Sequence, residues 1–395
     1  MQNRENEPSH YVLLKVRIYL VKYLKRIIIL VMAMFSFVFI VGCGNSKEDP
    51  VKPATENTTN NKADNKSKDK INEDKSDKDK KPKKEKTPEP FKPVVISFAG
   101  DCTLGGFPGS AEDFDYYWRN GPGYYLGNVK PIFETDDITF VNLEGPLTLH
   151  PRTAIKTFPM RGEPEYVEIL KSASVEICNL SNNHIYDCGD EGFQDTVNVL
   201  KANNIKFCGE GYSDVIDIRG LKVGFLGYQG WEDYPELRSE IANDISKMRK
   251  DQGADVVIVE FHWGIEGDYT SYSTQDNLAH SAIDSGADIV VGAHPHVVQG
   301  LEVYKGKIIA YSLGNFCFGG NANPSDKDTF ILQTTINKQG NNIIINPKII
   351  PCFVSSTNYY NDYCPTPAEG YEAERILNKL ANSSSIYPQT INFGL

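Results

Sequence analysis

The chain is poor in several things a reader would use to classify it. It has seven histidines, five methionines and three tryptophans in 395 residues. It has no Cys-x-x-Cys pair and no repeat at a fixed period, which argues against a zinc ribbon, a thioredoxin-like redox motif or a solenoid. Eight cysteines are present, and without Cys43 the remaining seven are an odd number, most of them expected as small buried residues. Cys178 and Cys188 could bridge in an oxidising exterior, though spacing does not fix any connectivity. Basic residues are scarce where a core is possible. Beyond Lys92 the remaining 303 residues hold 21 basic and 39 acidic side chains, a formal net of −18. Nucleic acid is therefore excluded as an expected partner, because its binding rests on basic surface.

Large apolar residues are nearly missing from Asn45 to about Lys92, a stretch dense in both charge signs. Such a segment buries too little surface to offset chain entropy and is expected to be a disordered tether spanning 44–92. Its sub-run "KDKKPKKEK" is read as solvated linker rather than as a lipid or wall-polymer contact. What precedes it is the opposite in character. Lys15, Arg17, Lys22, Lys25 and Arg26 lead into the uncharged run "IIILVMAMFSFVFIVG" and then Cys43, the order of a secretory signal. The context "IVGC" resembles the lipobox of bacterial lipoproteins. That resemblance implies a signal over 1–43, lipidation of Cys43, and a protein on the extracellular face of the cytoplasmic membrane. An uncleaved anchor helix is the other reading, and it leaves the rest of the chain outside the membrane as well.

After the linker, strands and helices alternate. "VVISFAGD", "ITFVNLEGP", "VEICNLSNNH", "LKVGFLGYQG", "ADVVIVEFHWG" and "ADIVVGAHPH" read as strands, and the segments between them as amphipathic helices. The stretches 301–316 and 330–350 read as antiparallel hairpins with Lys-Gly and Gln-Gly turns. This pattern predicts an α/β domain with mixed sheets over 93–355. A C-terminal extension follows over 356–395, with one helix expected over 367–383.

In open α/β sheets, ligands collect at the carboxyl ends of strands. Here those ends carry Asp101, Asn142 with Glu144, Asn182-Asn183-His184, His262, and His294 with His296, so four of the six histidines beyond the linker fall at strand ends. Imidazole, carboxylate and amide together suit borderline divalent ions such as manganese, iron or zinc, whereas oxygen alone would suit calcium or magnesium. One or two such ions would lower the pKa of a bound water and polarise a phosphoryl oxygen, which is hydrolytic chemistry.

The motifs "GDCTLGG", "NLEGPLT", "LSNNHIYDCGDEG", "EFHWGIE", "GAHPHVVQG" and "YSLGNF", in this order, resemble the CapA family of poly-gamma-glutamate capsule biosynthesis proteins. That family is itself similar to calcineurin-like metallophosphoesterases. The resemblance spans about 94–352 and implies a four-layer α/β/β/α sandwich of two mixed sheets. It implies metal ligation by Asp101, Glu144, Asn183, His262, His294 and His296, with Glu144 near a bridging position. His184 matches a substrate-side histidine acting as general acid. Asp187 either orients His184 or caps the following helix. Asn142, Asn182, Asn315 and Arg161 are candidates to face a substrate, Arg161 by clamping an anionic group or else in a surface ion pair. One departure stands out: the superfamily motif Asp-x-His has Thr103 in place of the histidine, which puts one of two metal positions in doubt.

These expectations give a surface-tethered, metal-dependent protein that makes, exports or anchors an anionic γ-glutamyl polymer, in company with a membrane capsule synthase. Two alternatives stay open: a non-catalytic scaffold of a membrane synthesis complex, and an extracellular metallophosphoesterase acting on phosphoesters with no link to capsule.

Overall fold

The computed structural model describes residues 91–340 and 342–395. The expected signal segment, Cys43 and nearly all of the linker lie outside these residues. Among the described residues no helix is long and apolar enough to cross a membrane.

Two sheets form the framework. The first has a parallel half made of β1 (Val94–Thr103), β2 (Ile138–Leu143), β3 (Ile177–Asn179) and β4 (Lys206–Cys208). Its antiparallel half is the long hairpin of β12 (Asp328–Gln339) and β13 (Asn342–Phe353), with the two-residue β14 (Thr366–Pro367) at the edge. The strand order is β14-β13-β12-β1-β2-β3-β4, and β11 (Asn315–Phe318) also pairs with β1. In the second sheet β6 (Leu221–Gly230), β7 (Val256–Trp263), β8 (Ile289–Ala293) and β10 (Lys307–Ala310) are parallel, and β5 (Asp214–Ile218) and β9 (Leu301–Tyr304) are antiparallel edges. Its order is β5-β6-β7-β8-β10-β9.

Alternation along the strands sorts side chains into layers. Ile96, Phe98, Phe140 and Ile177 from the first sheet meet Val223, Phe225, Ile258 and Val291 from the second, so one apolar core lies between the sheets. On the outer face of the first sheet, Ala99, Val141 and Cys178 pack with helices α1 (Ala111–Trp118), α2 (Lys130–Phe133), α3 (Val167–Ser172) and α4 (Gly189–Ala202), which contribute Phe114, Phe133, Ile169 and Val197. On the outer face of the second, Val257, Val259 and Val290 pack with α5 (Pro235–Lys250) and α6 (Ser273–Asp284) through Ile241, Ile245 and Leu278. This is the four-layer α/β/β/α arrangement that the family resemblance implies. The segment 356–395 is joined to it: β14 extends the first sheet, and α7 (Gly370–Ser384) inserts Ile376 and Leu380 into the inter-sheet core.

The structure departs from the sequence reading in four places. The stretch 301–316 is not one hairpin. Only β9 and β10 form it, and β11 crosses to the other sheet and runs parallel to β1. The crossing works because β12 pairs with β1 over Val94–Phe98 only, leaving the Asp101–Thr103 end open for β11. Short β4, the polar and half-exposed β5, and α1 have no counterpart in the sequence pattern. The strand expected over 175–184 shrinks to Ile177–Asn179, with a loop carrying the polar residues. Finally, all seven described cysteines are buried and free, so Cys178 and Cys188 do not bridge.

Candidate metal centre

The parallel strands of both sheets end on the same side, and their ends deliver polar side chains to one place. Asp101 lies among the last residues of β1, after a bulge where Gly100 passes tightly over Gly314, the residue before β11. A Cβ on Gly100 would come within 1.9 Å of the Gly314 carbonyl oxygen. Cys102 and Leu104 both belong to the outer core, so Asp101 and Thr103 share the inner side.

Asn142 on β2 is the hub. Its Nδ2 donates to Asp101 Oδ1 at 2.8 Å and lies 3.2 Å from His262 Nδ1. Its Oδ1 accepts from Asn179 Nδ2 and Asn182 Nδ2, both at 3.3 Å. His262 Nε2 faces the site, where it meets Asn183 Oδ1 at 2.8 Å. Asn182 also donates to the Leu143 carbonyl at 2.8 Å and accepts from the His184 amide, fixing the Asn182–His184 loop. His184 Nδ1 lies 2.7 Å from Asp187 Oδ2. Of the two readings of Asp187, the His184 partnership is the one present, and no side-chain cap is formed on α4.

His294 and His296 sit in the loop after β8, and both have left-handed backbones, with φ of 95° and 57°. Such conformations cost free energy for a residue with a Cβ and persist only when neighbours hold them. Here the His294 amide reaches Asp101 Oδ2 at 3.3 Å, and His296 Nδ1 contacts Asp101 Oδ2 at 3.1 Å and Asn315 Oδ1 at 2.9 Å. Glu144 lies at the centre: the Nε2 atoms of His184, His262 and His296 are each 3.8 Å from its Oε1.

Polar groups at this centre are left unmatched. Glu144 is completely buried, and neither of its carboxylate oxygens has a hydrogen-bond partner; nor does His294 Nδ1. Buried polar atoms are normally paired, and an unpaired one costs about 1–3 kcal/mol. Burial pushes the Glu144 carboxyl well above its usual range, with Asp101 adding like-charge repulsion. Burial lowers His262, and lowers His294 to about 3. At His296 burial acts downward, but Glu144 and Asp101 outweigh it and raise the group to about 9. His184 is lowered, chiefly by burial.

Three groups among the described residues bring one ligand atom from each member within 4.8 Å of the others: Glu144, His262 and His294; Asp101, Glu144 and His296; and Glu266, His294 and His296. The unpaired Glu144 oxygens and His294 Nδ1 fit a divalent cation, and Glu144 is shared by two groups, as a bridging carboxylate would be. Thr103 is buried with an unpaired hydroxyl.

A model of the family described as bacterial capsule synthesis protein PGA_cap matches residues 95–320, more than half of the chain and every strand end just described. The chain belongs to this family. It is 31% identical over 266 residues to the PGA biosynthesis protein CapA of Bacillus subtilis (strain 168), covering 62% of this chain and 68% of that one. It is 33% identical over 251 residues to the capsule biosynthesis protein CapA of Bacillus anthracis, covering 57% and 61%. Among solved structures, TT1561 of Thermus thermophilus aligns over 65% of this chain and 99% of its own with a TM-score of 0.36 and 13% identity.

In this PGA_cap chain, Asp101, Asn142, Glu144, Asn182, Asn183, His184, Asp187, His262, His294, His296 and Asn315 are all in one connected network. Arg161 is not in it: its guanidinium pairs with Glu163 at 2.7 Å on the flank, the surface ion pair of its alternative reading. Sequence reasoning missed Lys156, whose Nζ donates to Asp187 and to the Asn183 carbonyl, and Trp231, whose ring packs edge-on against His262 and His294. It also missed Glu266. All three sit in loops without periodicity, although Glu266 ends the quoted motif "EFHWGIE".

Proposed function

We propose that this protein is a metal-dependent enzyme of γ-glutamyl polymer capsule synthesis, hydrolysing or transferring an acyl or phosphoryl bond of an anionic substrate. We further propose that a lipid on Cys43 holds it at the extracellular face of the cytoplasmic membrane, within reach of a membrane capsule synthase. The observation that carries the first proposal is the set of unpaired buried donors, Glu144 Oε1 and Oε2 and His294 Nδ1, enclosed by His262, His296 and Asp101. A protein retains such a costly arrangement where function requires it.

One or two ions of manganese, iron or zinc would supply Lewis acidity and activate a water. Glu144, His262, His294, His296, Asp101 and Asn183 would hold them. Asn142 and Asn182 keep those side chains aimed. Asp187 fixes His184 through Nδ1, so Nε2 is the edge available to pass a proton at the reacting bond. The loop 149–161 lies beside the site and carries Arg152 and Lys156. Lys156 acts electrostatically on Glu144, His184 and His262, which supplies local positive potential for an anionic substrate on a domain that is acidic overall.

The test is polymer formation in the producing cell after His184→Ala and His262→Ala, with protein level monitored. Loss of polymer in both supports the reading; normal polymer in both sinks it. Turnover of bis(p-nitrophenyl) phosphate by the purified protein alongside normal polymer would select the capsule-independent phosphoesterase. Cys43→Ser should move the protein from the membrane fraction to the medium or block its maturation.

A further inference from the structure

The loop after β7 is built to hold a carboxylate over the histidine pair. Gly264 and Gly267 bracket it with φ of 90° and 76°, backbone that a side chain rarely adopts. The Gly267 amide donates to the Pro295 carbonyl at 2.8 Å, tying the loop to the residue between His294 and His296. Gln299 donates to the carbonyls of Asp268 at 2.8 Å and Thr270 at 3.2 Å, and is itself held by buried Gln275 at 2.9 Å. Glu266 thus stands on a loop fastened at both ends, with its carboxylate within 4.8 Å of ligand atoms of His294 and His296. His294 is 7% exposed, and its Nδ1 has no partner.

Buried Glu144 and exposed Glu266 each bring a carboxylate oxygen within 4.8 Å of ligand atoms of both histidines. We propose that Glu266 is a ligand of the metal centre, adding from the β7 loop an exposed carboxylate beside His294 and His296. This rests on the metal-centre reading above. It fits the electrostatics: the charge of Glu266 acts on both Glu144 and His296. A carboxylate on an exposed loop is also exchangeable, so it can yield its position to an anionic group of an incoming substrate.

The test is calorimetric titration of the chelator-stripped full-length protein with MnCl2 and, separately, ZnCl2, comparing wild type, Glu266→Gln and Asp268→Asn. Asp268 lies two residues along the same loop and controls for loss of negative charge alone. The expected result is that Glu266→Gln loses one equivalent or weakens it at least about tenfold, while Asp268→Asn matches wild type. Absorption of the Co2+-loaded protein gives a second readout: its visible bands should change in intensity in Glu266→Gln only. Because Glu266 is exposed, the fold survives its replacement, and circular dichroism verifies this. Identical titrations for wild type and Glu266→Gln overturn the assignment while leaving the metal centre intact. Equal weakening in both variants overturns it in favour of a general charge effect. If wild type binds neither ion, the underlying reading fails as well.

Discussion

Replacing Glu144 by Gln should make the metal-free protein more stable and the metal-supplemented protein no more stable than that. Wild-type Glu144 is fully buried beside Asp101, with both oxygens unpaired. The amide keeps the shape and removes the like-charge repulsion and the desolvation of an ion, together with the smaller opposing attraction to His296, which Asp101 still holds. Since an unsatisfied buried polar group costs about 1–3 kcal/mol, and Gln leaves part of that cost in place, the expected gain without metal is about 1–2 kcal/mol. For a domain of this size that is a rise of roughly 2–5 °C in melting temperature. A cation at about a hundredfold excess over its dissociation constant contributes about 2.7 kcal/mol to wild type. The assay is thermal unfolding by circular dichroism in EDTA and again with excess Mn2+. In EDTA the variant should melt higher; on adding Mn2+ wild type should rise by at least about 5 °C and the variant by little. A variant that melts below wild type in EDTA, or gains as much from Mn2+, would refute the reasoning that Glu144 is held unpaired for a cation.

Other perturbations test the frame around the site. Burial raises Glu176 from 4.5 to about 7 and Asp136 from 3.8 to about 6, so both folded-state values lie above the unfolded ones. Their favourable contribution is complete below the unfolded values and is lost as pH rises through about 6 to 7, so Glu176→Gln should stabilise by about 1–2 kcal/mol at about pH 8 after allowing for partial exposure. The difference should close near pH 4.5, and urea midpoints at both pH values would expose a flat profile if this is wrong. Gly100→Ala places a methyl against the Gly314 backbone and should cost about 3 kcal/mol or more, with weaker Mn2+ binding because Asp101 is the next residue. A loss under about 0.5 kcal/mol, the scatter of neutral surface changes, would mean that the β1–β11 junction is loose. Asp187→Asn should leave metal content unchanged while polymer formation falls at least about tenfold, since a hydrogen bond to a charged group contributes about 1.5–3 kcal/mol; loss of metal instead would move Asp187 from His184's support to the ligand framework.

Much of the site was legible because the sequence places Asp101, Asn142, Glu144, His184, His262, His294 and His296 at or just after the ends of β-branched runs, and parallel strands converge their carboxyl ends. The mixed α/β class followed from the same runs, since strands buried on both faces, such as β7 and β8, read as continuous apolar segments, whereas the four layers were implied only by the family resemblance. Connectivity was less accessible. Apolar residues recur from Leu301 to Phe316, and nothing in their period marks that β11 leaves one sheet for the other; that is decided by where β12 stops along β1. Partners supplied by irregular loops were also hidden. Lys156 and Trp231 reach the site through turns whose paths depend on tertiary hydrogen bonds, and Arg161, equally suggestive by type, is drawn aside by Glu163 two residues away.

The central claim is that Glu144, Asp101, His262, His294 and His296 enclose a divalent cation. Anomalous diffraction from crystals of the protein grown with Mn2+ tests it most directly. One or two anomalous peaks are expected within bonding distance of Glu144, with His294 Nδ1 among the ligands. Density with no such peak, and the Glu144 oxygens bonded instead to ordered water, would contradict it.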